Sequence, residues 1–307
     1  MTKDAPLFLQ LAGVILFWGL AFAAIKQVTN EGVHWVSLTV IRFSLASAVF
    51  AVYLAVNKGA RVRIAPGDLK AIVAFGALAF TGYHFFLNYG EANGARSGSA
   101  ALVIATAPAF MVVLAVVHLK ERLTSIRVLG LAIAFAGLAM MILLNPVSLQ
   151  FGLSPALAAI VPAAVMAALY SVYGKPYLKK YPPVTFAAYT MFAGTALMLP
   201  VAVLYGPGTV TDALVLSPFG WGALLFLAAL PGVVAYVLWF RILDRIPASR
   251  AAPYIYLSTL VALIGGLPLG EPITETIGLG AAMVIGGVYL AQRTWPGPLP
   301  PSDKPTN

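Results

Sequence analysis

Ten apolar stretches, each roughly 20 residues long, follow one another along the chain and are separated by short polar segments. That length is what a helix needs to cross the hydrocarbon core of a bilayer. Because the bilayer interior offers no water to backbone amides, each stretch is predicted to be a helix, and the fold class is predicted to be an all-α integral membrane protein. The ten predicted transmembrane helices cover residues 7–28, 35–57, 69–91, 97–119, 126–145, 154–175, 183–206, 218–241, 248–270 and 275–293.

Composition supports a membrane protein and excludes several other classes. Hydrophobic residues make up 61% of the chain and charged residues only 9%, whereas soluble domains average about 25% charged residues. There is no cysteine, which excludes disulfides, thiol catalysis and cysteine-based metal sites. The net charge of +9 does not indicate a nucleic-acid partner, because the basic residues stand singly in short loops between apolar runs.

The distribution of basic residues predicts the orientation in the membrane. With the N-terminus inside, all but three of the 19 Lys and Arg residues fall on the inner side, the exceptions being Lys26, Arg42 and Arg96. By the positive-inside rule, both termini are expected in the cytoplasm and the protein is expected to be multi-pass in the cytoplasmic (inner) membrane. The first apolar stretch is expected to be retained rather than cleaved as a signal peptide, and the Pro-rich tail at 294–307 to be a disordered cytoplasmic segment.

The chain also shows an internal repeat at a shift of about 150 residues. Its clearest piece is the pattern Leu-x-Glu-x-x-Thr at 119–124 and again at 269–274. The predicted domains are therefore a first five-helix repeat at 1–150 and a second at 151–293. An odd number of crossings per repeat turns the second repeat upside down, and inverted repeats are typical of transporters.

The charges agree with an inverted repeat. The three bases Lys120, Arg122 and Arg127 lie in a predicted inner loop, and the equivalent positions of the second repeat are uncharged. The repeat motif was kept while the bases were lost, as expected where the second copy faces the outside.

These features together resemble the drug/metabolite transporter superfamily, EamA type. Besides the ten helices and the inverted repeat, the resemblance is carried by Trp18-Gly19-x-x-Phe22, by Arg42, and by the Glu121-Arg122 and Glu271-Pro272 corners. The resemblance implies an exporter of amino acids, among them aromatic amino acids, or of other metabolites. The second repeat departs from the pattern, because Ala167-Ala168 stand where Trp18-Gly19 would recur.

The third predicted helix carries the most unusual polar pattern. Thr81, His84, Asn88 and Glu91 are spaced three, four and three residues apart and therefore share one helical face. Polar residues at membrane depth usually face the interior of a helix bundle or a water-filled cavity. His84 is interpreted either as a ligand donor or proton-sensitive switch, or as a neutral histidine satisfied by a neighbouring helix. Asn88 would share its cavity face.

Arg42 lies roughly 10 Å deep in its predicted helix at 1.5 Å per residue. A guanidinium suits the binding of a substrate carboxylate. The alternatives are that Arg42 extends to the outer interface or that it pairs with Glu91.

Aromatic and proline residues complete the candidate site. The aromatic residues could line a substrate cavity, or fill space and form interfacial belts; the prolines could be hinges or static bends. The aromatic candidates are Trp18, Tyr83, Tyr170, Tyr173, Trp239 and Tyr254, and the hinge candidates are Pro108, Pro162 and Pro231. Glu121 and Glu271 are expected to cap the helix that follows each of them.

The predicted function is that of a secondary transporter that exports small metabolites, with amino acids as the favoured class, by alternating access through a central cavity. No catalytic residue, metal or cofactor is expected, since the sequence has no mid-membrane carboxylate and no phosphate-binding Gly-x-x-x-x-Gly-Lys motif. The expected partners are a small-molecule substrate and membrane lipids, with the protein a monomer or weak dimer. The alternatives are a sugar-phosphate antiporter of the same fold and, more remotely, a membrane enzyme that acts on lipids or a non-transporting receptor.

Overall fold

The computed structural model describes residues 6–57, 59, 62–93, 103–144, 155–205, 208–266 and 275–293. Within these ranges the chain consists of helices and the turns that connect them, as the apolar pattern predicts. The first half contains α1 (Leu7–Asn30), α2 (Trp35–Val56), α3 (Leu69–Gly76), α4 (Tyr83–Ala92), α5 (Ala107–Leu119) and α6 (Ser125–Leu143). The second half contains α7 (Pro155–Ala158), α8 (Val161–Gly174), α9 (Pro183–Tyr205), α10 (Thr209–Leu214), α11 (Pro218–Leu227), α12 (Ala235–Arg245), α13 (Ala248–Ala251), α14 (Ile255–Gly266) and α15 (Glu275–Gln292).

In the part of the chain that the structure describes, five continuous helical stretches are long and apolar enough to cross a membrane, and three shorter helices are also apolar. The long stretches are Leu7–Asn30, Trp35–Val56, Pro66–Gly90, Pro183–Tyr205 and Pro218–Arg245; the shorter ones are Ala107–Leu119, Ser125–Met141 and Gly278–Gln292. The chain is thus an all-α, multi-pass membrane protein. The number of ten crossings stays a prediction, and the predicted tail at 294–307 lies outside the described residues.

Two of the long helices contain a π-helical segment. Ala77–Gly82 joins α3 to α4, and Ala228–Val234, which includes Pro231, joins α11 to α12. A proline removes one backbone donor and clashes with the preceding turn, so a wider turn relieves the helix at Pro231. The two segments occupy equivalent positions of the sequence repeat.

The helices of the two halves pack in a pattern that recurs when the halves are exchanged. α1 packs against α14, and its counterpart α8 packs against α5. Likewise α1 packs against α12, and α8 against α4. α2 packs against the π segment Ala228–Val234, and α9 against the π segment Ala77–Gly82. The sequence repeat therefore corresponds to a repeat in helix packing.

Among the described helices, the largest contact joins the last helix of each half, α6 and α15. A Cβ atom added at Gly130 would lie 2.5 Å from the carbonyl oxygen of Gly287, and one added at Gly137 would lie 2.7 Å from that of Gly280. Only glycine allows the two backbones to come this close. Small residues are common at helix interfaces in membranes. Lipid tails are as apolar as the helix surface, so the hydrophobic effect does not favour association of the helices, and close packing has to stabilise the contact.

Candidate functional site

Arg42 on α2 and His84 on α4 lie close together inside the helix bundle. Arg42 is 6% exposed and His84 is 8% exposed. The ring of Phe43 links them, because its centroid lies 5.0 Å from Cζ of Arg42 and 4.7 Å from the centroid of the His84 imidazole. The sequence-predicted polar face of the third helix and the predicted deep arginine of the second helix therefore belong to one site.

One nitrogen atom of each of these two side chains lacks a hydrogen-bond partner. Among the residues that the structure describes, Arg42 forms no ion pair, and neither Nε of Arg42 nor Nε2 of His84 has a hydrogen-bond partner. A buried guanidinium without a counter-ion is costly, so an anion supplied from outside the protein would be strongly favoured there. The burial disfavours an arginine that extends to the membrane surface. The side chain of Glu91, its other suggested partner, lies outside the described set.

Half-buried aromatic side chains from both halves stand beside this pair. The ring of Tyr236 on α12 lies 5.6 Å from that of Trp18 on α1 and 4.9 Å from that of Phe80. Its hydroxyl, like that of Tyr83, is within electrostatic range of the Arg42 guanidinium. Trp18, Tyr83 and Tyr236 all keep part of their surface accessible. The arrangement offers one fixed positive charge next to an aromatic wall.

Tyr236 was not among the candidates from the sequence. It lies three residues before Trp239 on α12, and the two therefore share a helical face. The same spacing identified Tyr170 and Tyr173 as a pair, so the signal was available in the sequence.

Two predicted site residues are held in the core by partners of their own. The hydroxyl of Tyr170 shares a 2.8 Å hydrogen bond with that of Thr190, and Nε1 of Trp239 donates a 3.1 Å hydrogen bond to Oγ of Ser171. Both aromatic side chains are almost fully buried. Trp239 still touches the candidate site, because its ring centroid is 5.5 Å from that of Trp18.

The remaining predicted residues contact groups other than Arg42. Asn88 donates a 2.9 Å hydrogen bond to Oγ1 of Thr39 and so ties α4 to α2. Tyr173 is exposed and stacks on His118, with 3.9 Å between ring centroids. Tyr254 is half-buried in the short turn of helix that precedes α14.

The three hinge candidates occupy two kinds of position. Pro108 and Pro162 lie in the first turns of α5 and α8, each just after a break in the helical chain. Pro231 lies within a π segment, and its carbonyl oxygen accepts a 3.4 Å hydrogen bond from Nε1 of Trp18. The proline of the π segment is thus connected directly to the candidate site.

Glu121 has partners that its place in the sequence did not indicate. Its carboxylate accepts backbone hydrogen bonds from Ala248 and Ser249, and so it caps α13 of the other half. A partner so distant in sequence leaves no local pattern. A cap on α6, which follows Glu121 in sequence, stays a prediction. Glu271, for which the same was expected, lies outside the described residues.

A carboxylate also joins the halves outside the membrane-spanning helices. Glu31, just after α1, accepts hydrogen bonds from the backbone N–H (2.7 Å) and the hydroxyl (2.9 Å) of Ser217, which precedes α11. The pKa of Glu31 is lowered, first by the backbone N–H of Ser217 and then by the side chain of Gln27. Within the described part of the chain, no group of three or more His, Asp or Glu side chains is placed to hold a metal ion.

Comparison with known proteins decides the family. The model of the EamA-like transporter family matches residues 7–143 and again residues 154–292. The chain belongs to the EamA-like transporter family. The resemblance seen in the sequence is confirmed, and a transporter family agrees with the expectation that this protein is not an enzyme.

Relatives of this EamA-like chain carry names that match the family. A protein of Archaeoglobus fulgidus, named an uncharacterized transporter, is 31% identical over 289 residues, which cover 92% of this chain and 97% of that protein. A protein of Streptantibioticus cattleyicolor, named a probable terminal-alkyne amino-acid exporter, is 32% identical over 282 residues, which cover 91% of this chain and 91% of that protein. A protein of Salmonella typhimurium, named a probable amino-acid metabolite efflux pump, is 25% identical, with 90% of this chain and 91% of that protein covered.

The fold is also that of a solved protein. One crystal structure matches with a TM-score of 0.75 at 21% sequence identity and covers 93% of this chain and 96% of that chain. At this identity the likeness concerns the fold alone.

Proposed function

We propose that this EamA-like transporter exports small metabolites, and amino acids (aromatic ones included) in particular, across the cytoplasmic membrane, by alternating access to a site around Arg42. The observation that carries the proposal is the buried guanidinium of Arg42, whose Nε has no hydrogen-bond partner among the described residues, together with the half-buried rings of Trp18 and Tyr236. A guanidinium suits a carboxylate, and aromatic rings suit an apolar side chain or, by cation–π contact, an ammonium group. An amino acid presents all of these groups.

The names of two relatives favour the same substrate class. The Streptantibioticus cattleyicolor relative is named for amino-acid export and the Salmonella typhimurium relative for efflux of amino-acid metabolites. Their substrates differ by name, so the similarity supports the class of substrate rather than one compound.

The available positive charge favours a monocarboxylate over a sugar phosphate. A phosphate would need more than one base, and two further bases, Lys175 and Arg250, are bound to other groups. The ammonium of Lys175 bonds to the backbone oxygens of Leu243 and Ile246, and Nε of Arg250 bonds to Gln292.

Alternating access is supported by the duplicated packing. The family model matches two successive stretches of the chain, and the helix contacts recur when the two halves are exchanged. In our proposal the halves are two inverted repeats of five crossings each, with both termini in the cytoplasm. Such repeats rock about a site near the middle of the membrane. Pro231 and the π segment around it would take up part of that motion.

The roles of the site residues follow from their contacts. Arg42 binds the carboxylate, and Tyr83, Trp18 and Tyr236 contact the rest of the substrate. His84, whose Nε2 is unpartnered, offers a second polar contact or exchanges a proton. Trp239, Tyr170 and Asn88 hold the surrounding helices in position through Ser171, Thr190 and Thr39.

A flux assay tests the proposal. Purified protein is reconstituted into liposomes loaded with single radiolabelled amino acids, and efflux is followed with and without a pH gradient. Protein-dependent flux of at least one amino acid is expected. If no amino acid moves while a sugar phosphate does, the proposed substrate class is wrong. A dependence on the pH gradient that disappears in His84→Ala would assign proton exchange to His84.

A further inference from the structure

The turn between α12 and α13 is held by side chains from the other half of the chain. Oε1 of Glu121 accepts a 2.8 Å hydrogen bond from the backbone N–H of Ala248, and Oε2 accepts one of 2.9 Å from that of Ser249. Ala248 and Ser249, whose N–H groups donate these two hydrogen bonds, are fully buried. A carboxylate at the first backbone N–H groups of a helix makes a charge-assisted contact, stronger than a neutral hydrogen bond.

A second side chain of the first half binds the same turn. Arg127 on α6 is only 4% exposed and donates a 3.2 Å hydrogen bond from Nη1 to the hydroxyl of Ser249. Its guanidinium also interacts electrostatically with Glu121. Glu121, Arg127 and Ser249 therefore form one connected cluster between the halves, which we name the α13 latch.

Neighbouring contacts fasten both sides of the latch. Before it, the ammonium of Lys175 bonds to the backbone oxygens of Leu243 and Ile246. After it, Arg250 and Gln292 exchange two hydrogen bonds, of 3.1 and 3.0 Å, which tie the turn to α15. Together with α13, the turn connects α12, which carries Tyr236, to α14, which packs against α1, the helix that carries Trp18. Movement of this turn would displace two walls of the candidate site.

We propose that the α13 latch closes the cytoplasmic end of the transport pathway and that it opens each time the site takes up substrate from the cytoplasm. The inference rests on the alternating access of the proposed function. The latch lies among the bases Lys120, Arg122 and Lys175, which mark the cytoplasmic side by the positive-inside rule.

The reversible nature of the contacts fits a gate better than a permanent joint. The two hydrogen bonds that Glu121 accepts come from backbone N–H groups, which water can satisfy when the halves separate. In the sequence repeat, Glu271 and Ser99 stand at the positions of Glu121 and Ser249, whereas Ile277 replaces Arg127. The arginine of the latch therefore belongs to one end of the protein only.

The absence of cysteine from the chain allows a direct measurement of access. Tyr236→Cys places a single thiol at the candidate site, and inside-out vesicles present the cytoplasmic face to a membrane-impermeant maleimide. Glu121→Gln in this background removes the charge from the latch, and the labelling rate is expected to rise about tenfold. The matched control Arg122→Gln removes an exposed neighbouring charge and should leave the rate unchanged.

The same assay can overturn the inference. An unchanged rate in Glu121→Gln, an equal rise in Arg122→Gln, or a rise seen only in right-side-out vesicles would each contradict a cytoplasmic latch. If Glu121→Gln does not reach the membrane, Ser249→Ala removes only the partner of Arg127. It should raise labelling about threefold, and no change would again contradict the latch. The assay needs no substrate, so its outcome is independent of whether amino-acid flux is found.

Discussion

The α6–α15 contact and the site around Arg42 both join the two halves of the chain, but they use the sequence repeat in opposite ways. At the helix contact the repeat is kept: Gly130 meets Gly287 and Gly137 meets Gly280, and a shift of about 150 residues exchanges one pair for the other. At the site the repeat is lost, because His84 and Asn88 align with Val234 and Leu238.

The difference separates two requirements. Close approach of two backbones can be met identically from both sides, so the same small residues serve twice. Recognition of an asymmetric molecule requires different groups on different sides. In this chain the polar groups come from α2 and α4, and the second half contributes the half-buried ring of Tyr236 and, packed against Trp18, the buried ring of Trp239.

The largest expected effect is at the site. Arg42→Gln should lower substrate flux by about 30-fold or more, the equivalent of about 2 kcal/mol, because the substrate carboxylate loses its charged partner. Thermal stability in detergent should not fall, since removal of an unpaired buried charge relieves its desolvation cost. Arg122→Gln, which removes an exposed guanidinium, is the control for flux. Equal flux in wild type and Arg42→Gln would remove Arg42 from the site.

At the helix contact, stability rather than flux should respond. Gly130→Ala and Gly287→Ala should each destabilise the protein by about 1–3 kcal/mol, because the added methyl groups would meet backbone atoms of the facing helix. The two losses should be similar if the contact is reciprocal. Gly286→Ala, on the same helix as Gly287 but with nothing within 4 Å of an added Cβ, is the control. Thermal unfolding in detergent measures all three, and two clearly unequal losses would break the reciprocity.

His84 tests whether the one-sided polar face matters for transport. His84→Val copies the residue found at the equivalent place in the second half, and it should lower flux about fivefold through loss of one polar contact. His118→Val, which changes an exposed histidine that stacks on Tyr173, should leave flux unchanged. A normal rate of flux in His84→Val would show that His84 only packs against its neighbours and does not contribute to transport.

The smallest expected effect concerns pH. The carboxylate of Glu31 has a lowered pKa in the folded protein, so its contribution to stability is complete above the unfolded-state pKa of about 4.3 and is lost as pH falls through the folded-state value. Glu31→Gln should therefore flatten the decrease in melting temperature between neutral pH and about pH 3. Glu275→Gln, at the start of α15, is the control. The same pH profile in Glu31→Gln and wild type would show that the Ser217 contact contributes nothing.

Local pattern predicted the local features of the fold well. The length and apolarity of the stretches at 7–28 and 35–57 predicted α1 and α2 to within a few residues, and the spacing of polar residues placed His84 on an interior face. The repeat at 119–124 and 269–274 led to the family.

Contacts between distant helices could not be predicted in the same way. The sequence around Tyr170 does not indicate Thr190 as its partner, and the sequence around Trp239 does not indicate Ser171. A buried tyrosine with a hydrogen-bond partner has the same sequence pattern as a tyrosine that lines a cavity. The π segments were also missed, since a single extra residue in a turn hardly changes an apolar pattern.

The glycine contact between α6 and α15 also limits where molecules can pass. Because the backbones at Gly130 and Gly287 leave no room for a methyl group, neither a substrate nor a lipid chain can slip between these helices. The pair therefore forms a closed contact between the two halves. A substrate that partitions into the lipid could therefore not enter the site from the bilayer between α6 and α15, and would have to pass between other helices.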